Sequence, residues 1–311
     1  MIKRGQTWEA RLQADAAAMG IVVSDVASQQ MRQYLEQLHR WNRTYNLTAV
    51  RDFEEMRVQH LLDSLSILPL LERETASLAT RQRENPPSLG FACRSNLSGV
   101  KPSSVAVPVP DSSIQGEIKQ GHLATAPKAS PHHGGEAPAD RLECVTASAE
   151  FPRILDVGSG GGLPGVVIAI QKPDWQVTCV DAVAKKTAFI QQMAGVLRLP
   201  GLAARHARIE QLRPQGSHLI VSRAFASLTD FVQLVREHLA PGGRLVAMKG
   251  KYPDDELADL ARSAPGWCVE SFETLEVAGL DAQRCVLVLA PPGTDTAVAN
   301  GAASPDSPDR N

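Results

Sequence analysis

Most of the features that would place a chain in a special class are missing here. The five cysteines, Cys93, Cys144, Cys179, Cys268 and Cys285, are scattered, odd in number and free of C-x-x-C spacing. That excludes a disulfide framework and a cysteine-ligated zinc site, and fits a reducing compartment. No stretch approaches the ~18 uninterrupted apolar residues of a membrane span, and no apolar run follows Lys3 and Arg4. The expectation is a soluble, cytoplasmic protein without a membrane partner. An excess of one charge is missing too: 32 Lys and Arg stand against 34 Asp and Glu, a formal net charge of −2. A nucleic-acid partner would therefore need a local basic patch. What is present, 311 residues of which 43% are apolar, suffices for one large α/β domain and an accessory piece.

The informative stretch is Arg153 to Gly165, Arg-Ile-Leu-Asp-Val-Gly-Ser-Gly-Gly-Gly-Leu-Pro-Gly, followed by the apolar Val166 to Ile170. Ile154, Leu155 and Val157 suit a buried strand, the glycines a loop with exposed N–H groups, and Pro164 the first turn of a helix. A nucleotide-type ligand is the reading that four glycines in five positions favour. Gly160, Gly162 and Gly165 satisfy the dinucleotide fingerprint G-x-G-x-x-G. Asp156, Gly158, Gly160 and Gly162 satisfy a competing frame, Asp-x-Gly-x-Gly-x-Gly. A carboxylate at Asp156 would repel a pyrophosphate and attract the cationic amino acid end of S-adenosylmethionine. The loop therefore leans toward the methyl donor.

Ahead of the loop the chain reads as helical over residues 1–73. Trp8, Leu12 and Ala16 share one face, and Ser24 or Asp25 caps a second helix carrying Met31, Tyr34, Leu35, Leu38 and Trp41. A third opens near Asp52, carries Met56, His60, Leu61, Leu65 and Leu68, and stops around Pro69. Between the second and third, Trp41 to Thr48 reads from composition as a capped loop with Trp41 and Tyr45 half buried. His60, Asp63 and Ser64 fall within one helical turn, but without a nucleophile elbow they read as a capped or surface polar cluster.

Residues 74–150 are rich in Pro, Ser, Ala and Gly without a sustained period and read as disordered or loosely ordered. Pro108 and Pro110 spoil the alternation of Val105, Val107 and Val109 as a strand, and His122, His132 and His133 lack partners at metal-site spacing. From 151 to 290, strands and helices alternate, which predicts a mostly parallel doubly wound sheet. Its last two strands, Trp267 to Val277 and Arg284 to Leu289, are joined by a turn and predict an antiparallel edge. The tail, 291–311, reads as disordered.

In such a sheet a ligand lies beyond the carboxyl ends of the strands, beside the first one. Asp181, about 23 residues past Gly158 and at a strand end, is placed for ribose hydroxyls. Arg208, Ile209 and Glu210 stand where an adenine edge would rest. Ser222 to Ala226 follows the fourth strand, where donor and substrate meet. Arg223 there could neutralise a phosphate or the donor carboxylate, and Lys249 and Lys251 end the fifth strand.

Four blocks, Trp41 to Ser64, Leu155 to Gly165, Val221 to Leu228, and Met248 to Gly250 with Asp254 to Glu256, together resemble the bacterial small-subunit ribosomal RNA guanine-N7 methyltransferase family, also called glucose-inhibited division protein B. The resemblance implies an α/β fold of the class I S-adenosylmethionine-dependent methyltransferases, Rossmann-like, with an N-terminal helical cap. It implies methyl transfer to N7 of a loop guanine in 16S rRNA, free or in the small ribosomal subunit, with no metal and no DNA partner. Carried over by motif, donor contacts fall on Gly158, Leu163, Ile209, Glu210 and Arg223; Asp156, Gly160 and Asp181 join them from loop and strand-end reasoning. No catalytic base is expected, because N7 carries no proton; Arg223, Lys249 and Asn46 are the substrate-side candidates, with Trp41, Tyr45 and Phe225 as stacking surfaces. The expected state is a monomer. Two departures stand out: residues 74–150 intervene where the family passes almost directly from helix to strand, and Cys285 follows Arg284 where the family leads one to expect a histidine. An NAD-dependent oxidoreductase and a non-catalytic RNA- or ribosome-binding module remain the rival readings.

Overall fold

The computed structural model describes residues 6–84, 151–225 and 227–293. The readings made for residues 85–150 and for the tail from 294 onward, including the valine and histidine runs, lie outside the described residues. All described residues belong to one compact unit.

Ahead of the sheet come α1 (Trp8–Ala18), α2 (Asp25–Tyr45), α3 (Phe53–Met56), a π-helical turn (Arg57–Leu62), α4 (Asp63–Leu65) and α5 (Leu68–Glu84). Ser24 caps α2, its side chain accepting from Ala27 N at 3.1 Å, and Asp52 caps α3 by accepting from Glu54 N and Glu55 N, both at 2.9 Å. These are the polar positions from which the caps were expected. Two expectations need correcting. The second helix runs through Trp41 to Tyr45 and closes on Asn46, whose φ of 51° is the left-handed conformation that asparagine tolerates at a helix end. The third helix does not end the helical region at Pro69. Proline fits a first helical turn as well as it stops a preceding helix, and Pro69 opens α5, which continues past residue 73 to Glu84 with Leu70, Leu71 and Leu78 buried.

The second part alternates: β1 (Arg153–Val157), α6 (Gly165–Gln171), β2 (Gln176–Asp181), α7 (Ala184–Val196), β3 (Leu202–His206), β4 (Ser217–Ser222), α8 (Leu228–Val235), β5 (Leu239–Lys249), α9 (Asp254–Ser263), β6 (Cys268–Thr274) and β7 (Cys285–Ala290). The seven strands lie in the order β3-β2-β1-β4-β5-β7-β6. The first five pair in parallel, and β7 runs antiparallel to β5 and β6, which makes the expected mixed edge. The order reverses between β1 and β4, so a crevice opens at their carboxyl ends. Both faces of the sheet are covered. Ile154, Val177, Leu219 and Val246 pack with α1, α2 and α6, whereas Leu155, Ile220, Leu245 and Leu287 pack with α8. The N-terminal helices thus share a core with the sheet. No helix among the described residues is long and apolar enough to cross a membrane.

Helix α2 fastens this cap to the crevice. Met31, Tyr34, Leu35 and Leu38 are wholly buried, and the Tyr34 hydroxyl donates to Gly161 O at 2.7 Å. Replacing Tyr34 by Phe keeps the ring and leaves a buried carbonyl unpaired. Thermal or denaturant unfolding should show a loss of about 1–2 kcal/mol; wild-type stability in the variant would show that the bond contributes nothing.

Candidate functional site: three adjoining cavities at the strand ends

The glycine loop bends because three of its residues adopt backbone angles that side chains resist: φ is 74° at Gly158, 58° at Gly160 and 97° at Gly162. It is tied to β2. Gly158 N and Ser159 N donate to Val180 O at 2.9 and 3.2 Å, and Gly160 N donates to Asp181 Oδ2 at 2.9 Å. Asp181 Oδ1 accepts from Val183 N at 2.8 Å, and Lys186 Nζ stands 3.6 Å from Oδ2. The carboxylate expected to meet a ribose thus first holds the loop in shape; its remaining lone pairs can still accept.

Around the loop lie three cavities. The first, about 310 Å³, is lined by Gly158, Asp181, Arg208, Ile209, Glu210, Ala224 and Phe225 among others. The second, about 170 Å³, lies on the other side of Gly158 and Ala224, between the loop and the cap; Leu38, Leu47, Thr48, His60, Gly160, Leu163 and Arg223 help line it. The third, about 280 Å³, shares His60 and Arg223 with the second and adds Gln59, Asp63, Met248, Lys249, Gly250 and Arg284. Six of the eight residues expected to contact the donor, Gly158, Gly160, Leu163, Ile209, Glu210 and Asp181, therefore line the first two cavities, and Arg223 forms the wall between the second and third. A larger cleft of about 370 Å³, between Gly20 and Ser24, Leu68 and Glu72, and Gln171 and Lys172, shares no residue with them.

Asp156 is the eighth, and it lies elsewhere. Its side chain points beneath the loop, where Oδ2 accepts from Gly165 N at 2.8 Å at the start of α6 and Cys179 Sγ stands 3.9 Å away; it is fully buried and lines none of the three cavities. Burial pushes its carboxyl up to about 7, against which the Gly165 N–H and the Arg223 charge pull only in part. Attraction of a cationic ligand through Asp156 is thus weaker than its place in the sequence suggested.

The substrate-side candidates separate as well. Asn46 is exposed and caps α2, its Oδ1 accepting from Arg51 Nη2 at 2.7 Å, and it lines no cavity. Within Trp41 to Thr48 the organising residue is the buried Asn42, which donates to Val50 O at 3.1 Å and accepts from Thr48 N at 2.9 Å. Lys249 lines the third cavity, but its ammonium is held by Glu256 at 2.7 Å and Phe225 O at 3.1 Å. Of the aromatic candidates, Tyr45 is 42% exposed, and Trp41 packs against both Tyr45 and Phe189 with centroids 5.1 and 5.4 Å apart.

The polar trio on the cap is a correction in the opposite sense. His60, Asp63 and Ser64 are 4%, 1% and 0% exposed, not a surface cluster. The π-helical turn, a feature often found where a helix meets a functional site, carries His60 and leads into Asp63, and both side chains line the third cavity. Asp63 receives Arg223 at 2.7 Å and Arg284 at 2.8 Å. His60 Nε2 lies 2.8 Å from Thr48 Oγ1, and burial together with the Arg223 charge lowers its pKa to about 4, so the ring is neutral at neutral pH. The signal for Asp63 lay in Leu61, Leu62 and Leu65 around it, which mark a helix with little solvent face; Arg284 carried no signal beyond its neighbour Cys285.

The model of the family described as rRNA small subunit methyltransferase G matches residues 27–79 and 139–286. The chain belongs to this family. The residues named above as lining the three cavities all lie within the matched stretches, and the unmatched gap falls inside the segment read as an insertion. Among the curated relatives, the Ribosomal RNA small subunit methyltransferase G of Bordetella pertussis is 43% identical over 259 residues, 83% of each chain. That of Bordetella avium is 39% identical over 277 residues, 89% of this chain and 91% of the relative. The Leptothrix cholodnii protein of the same name is 39% identical over 280 residues, 90% and 94%.

For this family member the loop makes two predictions. A Cβ on Gly158 would stand 2.6 Å from Ala224 Cβ, on a backbone that already resists a side chain, exactly where two cavities meet. Gly158→Ala should weaken binding of adenosylhomocysteine at least about tenfold by calorimetric titration, as expected for a strained and narrowed site; unchanged affinity would take Gly158 out of the ligand site. The second concerns Asp156. Its folded pKa, about 7, lies above the ordinary carboxylate value of 3.8, so the native state holds a proton that the unfolded state gives up. Its contribution is favourable at low pH and is lost as pH rises from about 4 to about 7. Asp156→Asn should therefore gain in melting temperature relative to wild type across that window and level off above it, and a pH-independent difference would contradict the shift.

Proposed function

We propose that the chain transfers the methyl group of S-adenosylmethionine to N7 of a loop guanine in 16S rRNA. Family membership makes it a ribosomal RNA methyltransferase and decides the glycine loop for the methyl-donor reading over the dinucleotide one. The observation that carries the finer reading is the run of three cavities joined by shared walls, Gly158 with Ala224 and then His60 with Arg223.

The residues suit the parts of the donor. Asp181 and Ile209–Glu210 offer acceptors and an apolar edge to adenosine in the first cavity. The glycine loop, which a Cβ at Gly158 would obstruct, gives the methionine end room in the second, with the Arg223 guanidinium beside it for the carboxylate. The acceptor base then belongs in the third. Guanine N7 has an in-plane lone pair and no proton. That pair forms the new N–C bond while the C–S pair returns to sulfur, and the positive charge passes to the purine. No side chain has to remove a proton, which agrees with a His60 held neutral beside the reaction path. What the protein supplies is alignment and exclusion of water, and alignment alone can contribute about 7 kcal/mol or more. N7 is out of reach in the deep groove of A-form RNA, so the target is an unstacked guanine in a loop.

Purified protein incubated with methyl-labelled donor and unmethylated 16S rRNA, as free RNA and as small subunits, should label one guanine. Borohydride reduction and aniline treatment should then cut the RNA there, the signature of N7 methylation. Absence of label in both arms, or label without the cut, would overturn the proposal.

A further inference from the structure

The third cavity holds more positive charge than the donor requires. Arg223, Arg284 and Lys249 line it; Glu256 balances Lys249, and the single carboxylate of Asp63 is divided between the two arginines. Its Oδ2 accepts from Arg223 Nη1 at 2.7 Å and its Oδ1 from Arg284 Nε at 2.8 Å. Arg223 Nη1 also reaches Gln59 O at 3.3 Å, and Arg284 Nη1 donates to Gln283 O at 2.8 Å. No remaining guanidinium nitrogen of either residue has a hydrogen-bond partner among the described residues. One arginine more than the carboxylate can neutralise is left facing the cavity, and each side chain remains more than a quarter exposed.

The two arginines do not occupy equivalent places. Arg223 borders the glycine-loop cavity as well and can serve the donor carboxylate, whereas Arg284 borders the third cavity only. A second anion is needed to match Arg284, and it has to arrive with the acceptor. An RNA substrate brings one phosphodiester per nucleotide, and arginine is the side chain best shaped to receive it.

Resting on the proposed function, we propose that the third cavity seats a backbone phosphate beside the target guanine on Arg284, with Asp63 as the positioning residue that fixes Arg284 against Arg223. Asp63 is suited to that role because it is 1% exposed and comes from the cap, while its partners come from the end of β4 and the start of β7. It sets the spacing between the donor's anion and the acceptor's anion across three separate parts of the chain.

The test uses the full chain, methyl transfer to 16S rRNA over a series of salt concentrations, and titration with adenosylhomocysteine. Arg284→Gln should raise KM for RNA about tenfold, the size of one lost charge-assisted bond, and lower the slope of log KM against log salt by about 0.7–1. Its affinity for adenosylhomocysteine should stay that of wild type. Asp63→Asn should weaken both RNA and adenosylhomocysteine and lower the salt slope; a merely structural Asp63 would lower the melting temperature and leave the slope untouched. The inference is overturned by an Arg284→Gln enzyme with wild-type KM and salt slope, or by one that loses adenosylhomocysteine instead of RNA. Wild-type protein that methylates no RNA would overturn the functional reading itself, and this inference with it.

Discussion

A carboxylate that no water reaches must be matched inside the protein, and for Asp63 the match comes from two guanidinium groups that are distant along the chain. Removing one partner of such a buried group costs several kcal/mol, so its geometry is not optional. The cap has to sit where Asp63 can reach the ends of β4 and β7 at once. Much else follows from that seat. Helix α2 lies against the glycine loop, the π-helical turn brings His60 to Thr48, and the second and third cavities exist only because the cap roofs the strand ends. The crevice of the sheet alone would supply the first cavity; the cap converts it into a passage with two further chambers.

What the sequence made legible is what is local. The alternation of strands and helices, the caps at Ser24 and Asp52, the glycine loop and the acid ending β2 each rest on neighbours a few residues apart, and all recur in the fold. The failures are long-range or ambiguous in sign. Pro69 ends one helical pattern and begins another with the same residue. Asp63 looked like surface because its partners lie 160 and 221 positions away. Asp156 was identified correctly as the acid before the first glycine. Strand parity groups it with Ile154 and opposes it to Leu155 and Val157, yet parity does not tell which face carries α6. Only the packed sheet shows that this face lies under the loop and away from the ligand chambers.

The same parity accounts for the departure at Cys285. Its side chain is buried in the core shared with Leu287, Leu289 and α8, and in the antiparallel register it pairs with Lys249. Arg284, one residue earlier, turns the other way toward Asp63. A cysteine in place of histidine therefore alters the packing behind the sheet edge while the arginine that lines the third cavity keeps its place. Burial raises the pKa of the thiol, with the Lys249 charge pulling it back only in part, so it behaves as a small apolar side chain there.

The π-helical turn at Arg57–Leu62 sets where this chain can change length. A π turn holds one residue more than an α turn, and each helical residue advances about 100° around the axis. Deleting any one residue from it would restore ordinary pitch and rotate Asp63 by that angle relative to α3 and the loop before it, carrying the carboxylate away from one arginine or the ring of His60 away from Thr48. The connection between Glu84 and Arg153 is under no such phase constraint, because closing a longer loop costs only about 0.6 kcal/mol per doubling. Drift in chain length is thus free to accumulate where the backbone leaves the cap for the sheet, and is barred within six residues of the helix that crosses the site.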